Sequence, residues 1–285
     1  MTRYSSLSRR TALRTVAGAA LAGVAGCLDN GGNSETPNGG NGSPDGQNTL
    51  KRVAVDGTTL VVELTAEADV DQINLIQPNG ELFGQREVAT GSQQVSFEIG
   101  TAYAPGEYRV LALKGDETIV ETSLPIQPDL RIVEMGIGRN QPDKMWDGPS
   151  DEIAEEAFVT VENQGSGPEA ITKLLFIGDV PYPSDEEGTN YAANEEVSGI
   201  YDANADTEVD EVVITAGEKI TIYSSRSPFA FVPGGGTSCT DEQQSGEFDL
   251  ILETQIGANQ VSKTYTIQYS ASTESDNCDI TINEA

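Results

Sequence analysis

An all-β fold is predicted by three features of the 285-residue sequence. Apolar residues alternate with polar ones at period two, Gly, Pro, Asn and Asp punctuate the runs every few residues, and no stretch shows a sustained 3.6-residue repeat. Leu60, Val62 and Leu64 fall at alternate positions flanked by Thr59 and Glu63, and Val95, Phe97 and Ile99 alternate with polar neighbours, so each run can bury one face and wet the other. Gln72 to Gln77 reads as a strand ended by Pro78-Asn79-Gly80, where Asn and Gly tolerate the positive φ that other residues resist. Leu82 to Val88 returns from that turn, Pro105-Gly106 opens a strand through Val110, and Thr118 to Ile126 closes the set. With Arg52 to Val55, these runs have the number and density of an immunoglobulin-like sandwich over residues 50–127. Tyr103 and Tyr108 flank the Pro-Gly turn, with core filling favoured over a corner hydrogen bond.

Gln127-Pro128-Asp129 is the expected boundary, because proline fixes φ and removes a donor. A second sandwich is expected over 128–285, giving two compact units in all. Its strands are Leu130 to Gly138, Ala157 to Asn163, Ala170 to Ile177, Ala216 to Ile222, Phe248 to Glu253 and Val261 to Tyr269. A long acidic insertion, roughly Val180 to Glu208, interrupts them, and loops of that length are unusual unless they carry function or lack order. Ser150 to Glu156 reads either as a short helix capped by Ser150 or as the lead-in to the next strand.

Composition narrows the function classes. The chain carries 16 Lys+Arg against 46 Asp+Glu, and the first 26 residues hold four of those bases and no acid. Such self-repulsion is relieved in molar salt, where the Debye length shrinks to roughly 3 Å, so the composition points to a halophile. Without a cluster of Lys and Arg to neutralise phosphates, no nucleic-acid partner is expected. There is no histidine, which removes the commonest general base and His-ligated zinc, and no enzyme activity is expected.

Residues 1–26 have the three parts of an export leader: Ser8-Arg9-Arg10-Thr11, a mildly apolar stretch from Thr15 to Gly26, and the small-residue box Val24-Ala25-Gly26 before Cys27. The apolar stretch is too short to span a bilayer, which needs about 20 residues. The pattern resembles twin-arginine lipoprotein signals of the haloarchaeal kind, although Ala12 stands where a bulkier apolar residue is commoner. The resemblance implies export through Arg9 and Arg10, cleavage before Cys27, a two-chain lipid on its sulfur, and a protein held on the extracellular face of the cell membrane. Residues 27–49 then form a Gly/Asn-rich tether with a typical end-to-end distance of about 25 Å. Asn41-Gly42-Ser43 within it matches a glycosylation acceptor, followed by Pro44.

Three further features bear on binding. Cys239 and Cys278 remain as an even pair on an exported chain, which reads as a disulfide. Asp202-Ala203-Asn204-Ala205-Asp206, followed by Asp210, offers oxygen at alternate positions; calcium is one reading and a solvated acidic loop the other, because Thr207 stands where a calcium loop turns on glycine and Val213 where it has its bidentate acid. Phe229 and Phe231 in a proline-bounded segment, and the single Trp146, read either as partner anchors or as core aromatics.

The strand ending in Asn163-Gln164-Gly165-Ser166-Gly167-Pro168, followed by apolar Ala170 to Ile177 and by Ala216-Gly217-Glu218-Lys219-Ile220, is similar to the cell-adhesion-related (CARDB) sandwich family. That resemblance implies display or adhesion and carries over no catalytic residue. The expected function is therefore a surface interaction module with a protein partner at the cell envelope. The alternative is an accessory or solute-binding lipoprotein of a transporter, which would need larger α/β lobes with long helices.

The leader assigns the membrane attachment to one sulfur. Cys27→Ser is expected to move the protein from the membrane pellet to the medium in cell fractionation, and an unchanged pellet would remove the lipid from the account.

Overall fold

The computed structural model describes residues 49–232, 239–256, 260–272 and 278–285. Arg9, Arg10, Cys27 and the Asn41 acceptor lie outside them.

The first seven strands are β1 (Leu50–Asp56), β2 (Thr59–Leu64), β3 (Gln72–Ile76), β4 (Leu82–Glu87), β5 (Gln94–Glu98), β6 (Gly106–Lys114) and β7 (Glu117–Ile126). They form two antiparallel sheets in the orders β1-β2-β5 and β4-β3-β6-β7. This is the Greek-key strand order of an immunoglobulin-like sandwich, with the fourth strand carried in the second sheet. Leu60, Val62, Leu64, Ile73, Leu75 and Phe97 meet between the sheets, as their alternation requires. Gly80 holds φ +86°, and its N–H donates to the Gln77 carbonyl at 2.9 Å, closing the expected turn. Tyr108 is fully buried near the start of β6. Its hydroxyl lies by the Ala104 backbone without closing a hydrogen bond, so it fills core.

The second set comprises β8 (Leu130–Ile137), β9 (Ala157–Asn163), β10 (Glu169–Gly178), β11 (Ile200–Asp202), β12 (Thr207–Val209), β13 (Val212–Ile214), β14 (Lys219–Ser224), β15 (Gln244–Thr254), β16 (Val261–Ala271) and β17 (Cys278–Glu284). Their sheets run β12-β11-β14-β9-β8 and β13-β10-β15-β16-β17. Between them Phe176, Phe229 and Phe248 lie 5.8–6.4 Å apart, centroid to centroid, and Tyr265 stacks on Phe248 at 5.6 Å. Phe229 is thus a core residue, and Phe231 packs its ring on Tyr269 at 5.4 Å. The chain is an all-β protein built on two sandwich cores. The two cores lie within a single compact unit.

The region expected as an insertion is built into the sheet. β13 covers the edge of β10 only at Glu169 to Ile171; beyond that point the backbone would be left without partners. The segment 179–199 supplies them. Leu174 N–H donates to the Ser198 carbonyl at 2.8 Å, Phe176 N–H donates to the Ser184 hydroxyl at 2.9 Å, and the Tyr191 hydroxyl donates to the Leu174 carbonyl. Lys173 is 6% exposed and reaches the Ala192 and Asn194 carbonyls with its ammonium group. Helix α1 (Ser150–Ile153) is present, but Pro149 is its N-cap residue and Ser150 forms its first turn without a side-chain cap bond.

Cys239 and Cys278 are joined by a disulfide, with Cα atoms 5.9 Å apart and a sequence separation of 39. In the loop-entropy account such a bridge is worth about 4 kcal/mol against the unfolded chain. Cys278→Ser is expected to lower the unfolding free energy obtained from denaturant titration by that amount, and an unchanged value would show that the bridge constrains nothing.

Candidate functional site

Strand direction sorts the connections of the second sandwich into two ends. Asn163, Glu169, Lys219, Thr254 and Val261 lie at the end that meets the first sandwich, and the turns there are short. Ile137, Ala157, Gly178, Ser224 and Cys278 lie at the other end, where the connections 138–156, 179–199 and 225–243 all fall. Long connections gathered at one end of a rigid sandwich are where binding surfaces of this architecture reside.

The connection 138–156 folds over the outer face of the β9 sheet. Met145 and Ile153 pack on Phe158, with Trp146 and Tyr223 at the margin. The Trp146 ring lies 4.7 Å from that of Tyr201, and its indole N–H donates to Glu156 Oε2 at 2.8 Å. Gly148 closes in on the indole so tightly that a Cβ there would sit 2.0 Å from Trp146 Cζ3. Trp146 therefore fastens the loop down. Burial pushes the Glu156 carboxyl above the usual range, the bond from Trp146 partly opposes this, and nearby Glu152 adds to it.

Arg139 ties the connection 138–156 to Phe229 and to the start of β17. It donates from Nη1 to the Cys278 carbonyl at 2.6 Å, from Nε to Ala154 at 3.3 Å and from Nη2 to Phe229 at 3.4 Å. Burial lowers its pKa, against the pull of Glu155 and Asp279. Beside it lies a polar groove of about 530 Å³ between Asn140, Ser150, Asp151 and Asp279. Across Glu155 a second groove of about 500 Å³ is shared by all three connections: Tyr182 and Thr189 from one, Arg226, Ala230 and Val232 from another, Glu155 from the third. Arg226 is held by Glu208 at 3.0 Å, and Val232 is 36% exposed. Tyrosine and arginine around one depression are residue types enriched among interface anchors.

The calcium candidates lie elsewhere. Asp202, Asn204 and Asp206 form the β11–β12 hairpin turn, in which Asp202 Oδ1 accepts the Asn204 N–H at 2.7 Å. Asp206 takes φ +54° and accepts the Tyr201 hydroxyl at 2.6 Å. Asp210 lies exposed after β12. Among the described residues no three Asp, Glu or Cys side chains gather in a metal-holding group. The alternate spacing here serves turn chemistry, with one aspartate bonding the backbone two residues on. Sequence reasoning missed Arg139, Tyr182 and Arg226, whose partners lie far away in sequence and leave no local pattern.

No protein-family model matches the chain, and no curated protein does. Solved structures that resemble it include a glycosyl hydrolase family 2 member from Bacteroides cellulosilyticus (14% identity, TM-score 0.22, 78% of this chain). A two-domain fibronectin type III segment of chicken tenascin is similar at 11% identity and TM-score 0.26, covering 83% of this chain and 99% of that one. The human OSCAR ligand-binding domain is similar at 13% identity and TM-score 0.19, covering 73% and 87%. The chain spans about a quarter of the glycosyl hydrolase, 25% of its length. Scores this low leave the fold assignment to the strand order itself.

Glu156 has a testable linkage. Because its folded pKa is raised, its contribution falls as pH climbs from the ordinary glutamate range through the raised value, and the penalty is complete above it. Glu156→Gln keeps an acceptor for Trp146, so it is expected to raise the melting temperature at neutral pH, with the gain vanishing in acid. A loss at neutral pH would show that the charged form is favoured there.

Proposed function

We propose that this protein is a lipid-anchored extracellular module that presents the distal loop end of its second sandwich to a protein partner in the cell envelope. The observation that carries the reading is the convergence of the three long connections on one groove. That groove lies at the end opposite the one that meets the first sandwich, whose own β1 starts at Leu50, remote from the junction. Export through Arg9 and Arg10 and a lipid on Cys27 supply the attachment at the tether's far end. A CARDB-like role in display or adhesion fits the same arrangement. The transporter-linked alternative called for long helices, whereas the α-helix among the described residues is Ser150–Ile153.

The test compares native-membrane pull-downs by the wild-type protein, by Tyr182→Ala combined with Val232→Ser at the groove, and by Glu87→Gln on exposed β4. Envelope proteins retained by wild type and Glu87→Gln but lost by the groove variant are expected. Equal retention by all three, or none above background, would sink the reading.

A further inference from the structure

We infer that the two sandwiches are locked into one rigid strut, because the turn 163–168 forms a socket that takes up the hydrogen-bonding groups of the linker between them. The Ser166 and Gly167 N–H groups donate to the Gln127 carbonyl at 2.8 and 3.1 Å. The Gln127 N–H donates to the Ser166 hydroxyl at 3.3 Å, and that hydroxyl donates to the Pro125 carbonyl at 2.8 Å. The Gln164 N–H donates to the Asp129 carbonyl at 2.8 Å, and the Asp129 N–H donates to Asn163 Oδ1 at 3.1 Å. Both groups of Gln127 and both of Asp129 are thus held by the second sandwich, and Pro128 between them has its φ fixed by its ring. A hinge needs backbone torsions free to change. The linker has none to spare.

The socket is itself held from within. Asn163 is fully buried and donates from Nδ2 to the Gly167 carbonyl at 2.8 Å. A Cβ on Gly165 would lie 2.3 Å from the Gln127 oxygen, and one on Gly167 would lie 2.1 Å from the Tyr103 hydroxyl oxygen, so both positions are read by their lack of side chain. Further bonds brace the joint beside the linker. The buried Tyr103 donates to the Pro168 carbonyl at 3.0 Å, and Thr101 donates to Gln255 at 2.6 Å. Glu169, 1% exposed, accepts the Ile256 N–H at 3.0 Å, while the Ile256 side chain packs against the first sandwich's core. Domains of one chain move relative to each other by default unless such contacts prevent it. Tyr103, read from sequence as core, and Gly165-Ser166-Gly167, read as the end of a strand, are here the two halves of one joint. This inference stands independently of any partner at the distal end.

The test is the distance distribution between spin-labelled non-canonical residues placed at exposed Gln85 and Thr221 in the full chain, read by pulsed electron resonance. A single narrow distance is expected for the otherwise wild-type protein. Gly167→Val is expected to lose it, giving a broad distribution while the far-ultraviolet β signal is retained. Tyr103→Phe combined with Ser166→Ala deletes two hydroxyls without adding bulk and is expected to broaden the distribution in the same sense, which covers the case that the valine prevents folding. A broad distribution in the wild type, or a narrow one in the double variant, would overturn the strut.

Discussion

Every strand at the border of a sheet leaves backbone N–H and C=O groups facing outward, and two sandwiches built from four sheets have many such borders. In this chain the closing of those borders organises much of the rest. Cations are scarce, and most of them pair with carboxylates on the surface, as Arg52 does with Asp56 and Glu63. Three are spent on backbone oxygens. Arg86 donates to the Ser96 carbonyl on the free side of β5, Arg139 donates to Cys278 at the start of β17, and Lys173 holds the segment that seals β10. Asn140 does the same for the Ile280 carbonyl at 2.8 Å. Surface pairs contribute little each, whereas an unmet buried carbonyl costs on the order of 1–3 kcal/mol. Of the three, the half-buried Arg139 and the buried Lys173 are therefore placed where their loss would be felt.

The same requirement explains what the sequence made legible. Runs such as Leu60-Val62-Leu64 announce themselves because a half-buried strand of five or more residues repeats its pattern. β11, β12 and β13 have three residues each, too few to show a period, and so the stretch around them read as one long loop. Its order comes from Ser184 and Tyr191, whose partners lie on β10 and are invisible to any local pattern. β17 is missing from the strands expected in sequence, yet it pairs with β16 from Cys278 to Glu284.

The candidate site was less legible than the fold, for a related reason. Alternate oxygens at Asp202, Asn204 and Asp206 suit a cation and a hairpin turn equally in sequence, and the fold adds the turn, in which Asp202 Oδ1 accepts the Asn204 N–H. The aromatic residues most visible in the sequence, Phe229 and Trp146, turned out to hold the scaffold. The groove residues Tyr182, Arg226 and Val232 come from two different connections and gather only once the sheets are stacked. Binding surfaces assembled from several loops leave no contiguous signature.

The bond between Cys239 and Cys278 has an effect beyond folding free energy. It encloses β15 and β16, two neighbouring strands of one sheet. A single cut by a protease anywhere between the two cysteines opens that ring but releases nothing: the downstream piece stays covalently attached, and β17 stays beside β16. The stretch between the two cysteines can thus be cut once and still leave one covalent molecule, a property that the first sandwich, without a cross-link among its described residues, does not share.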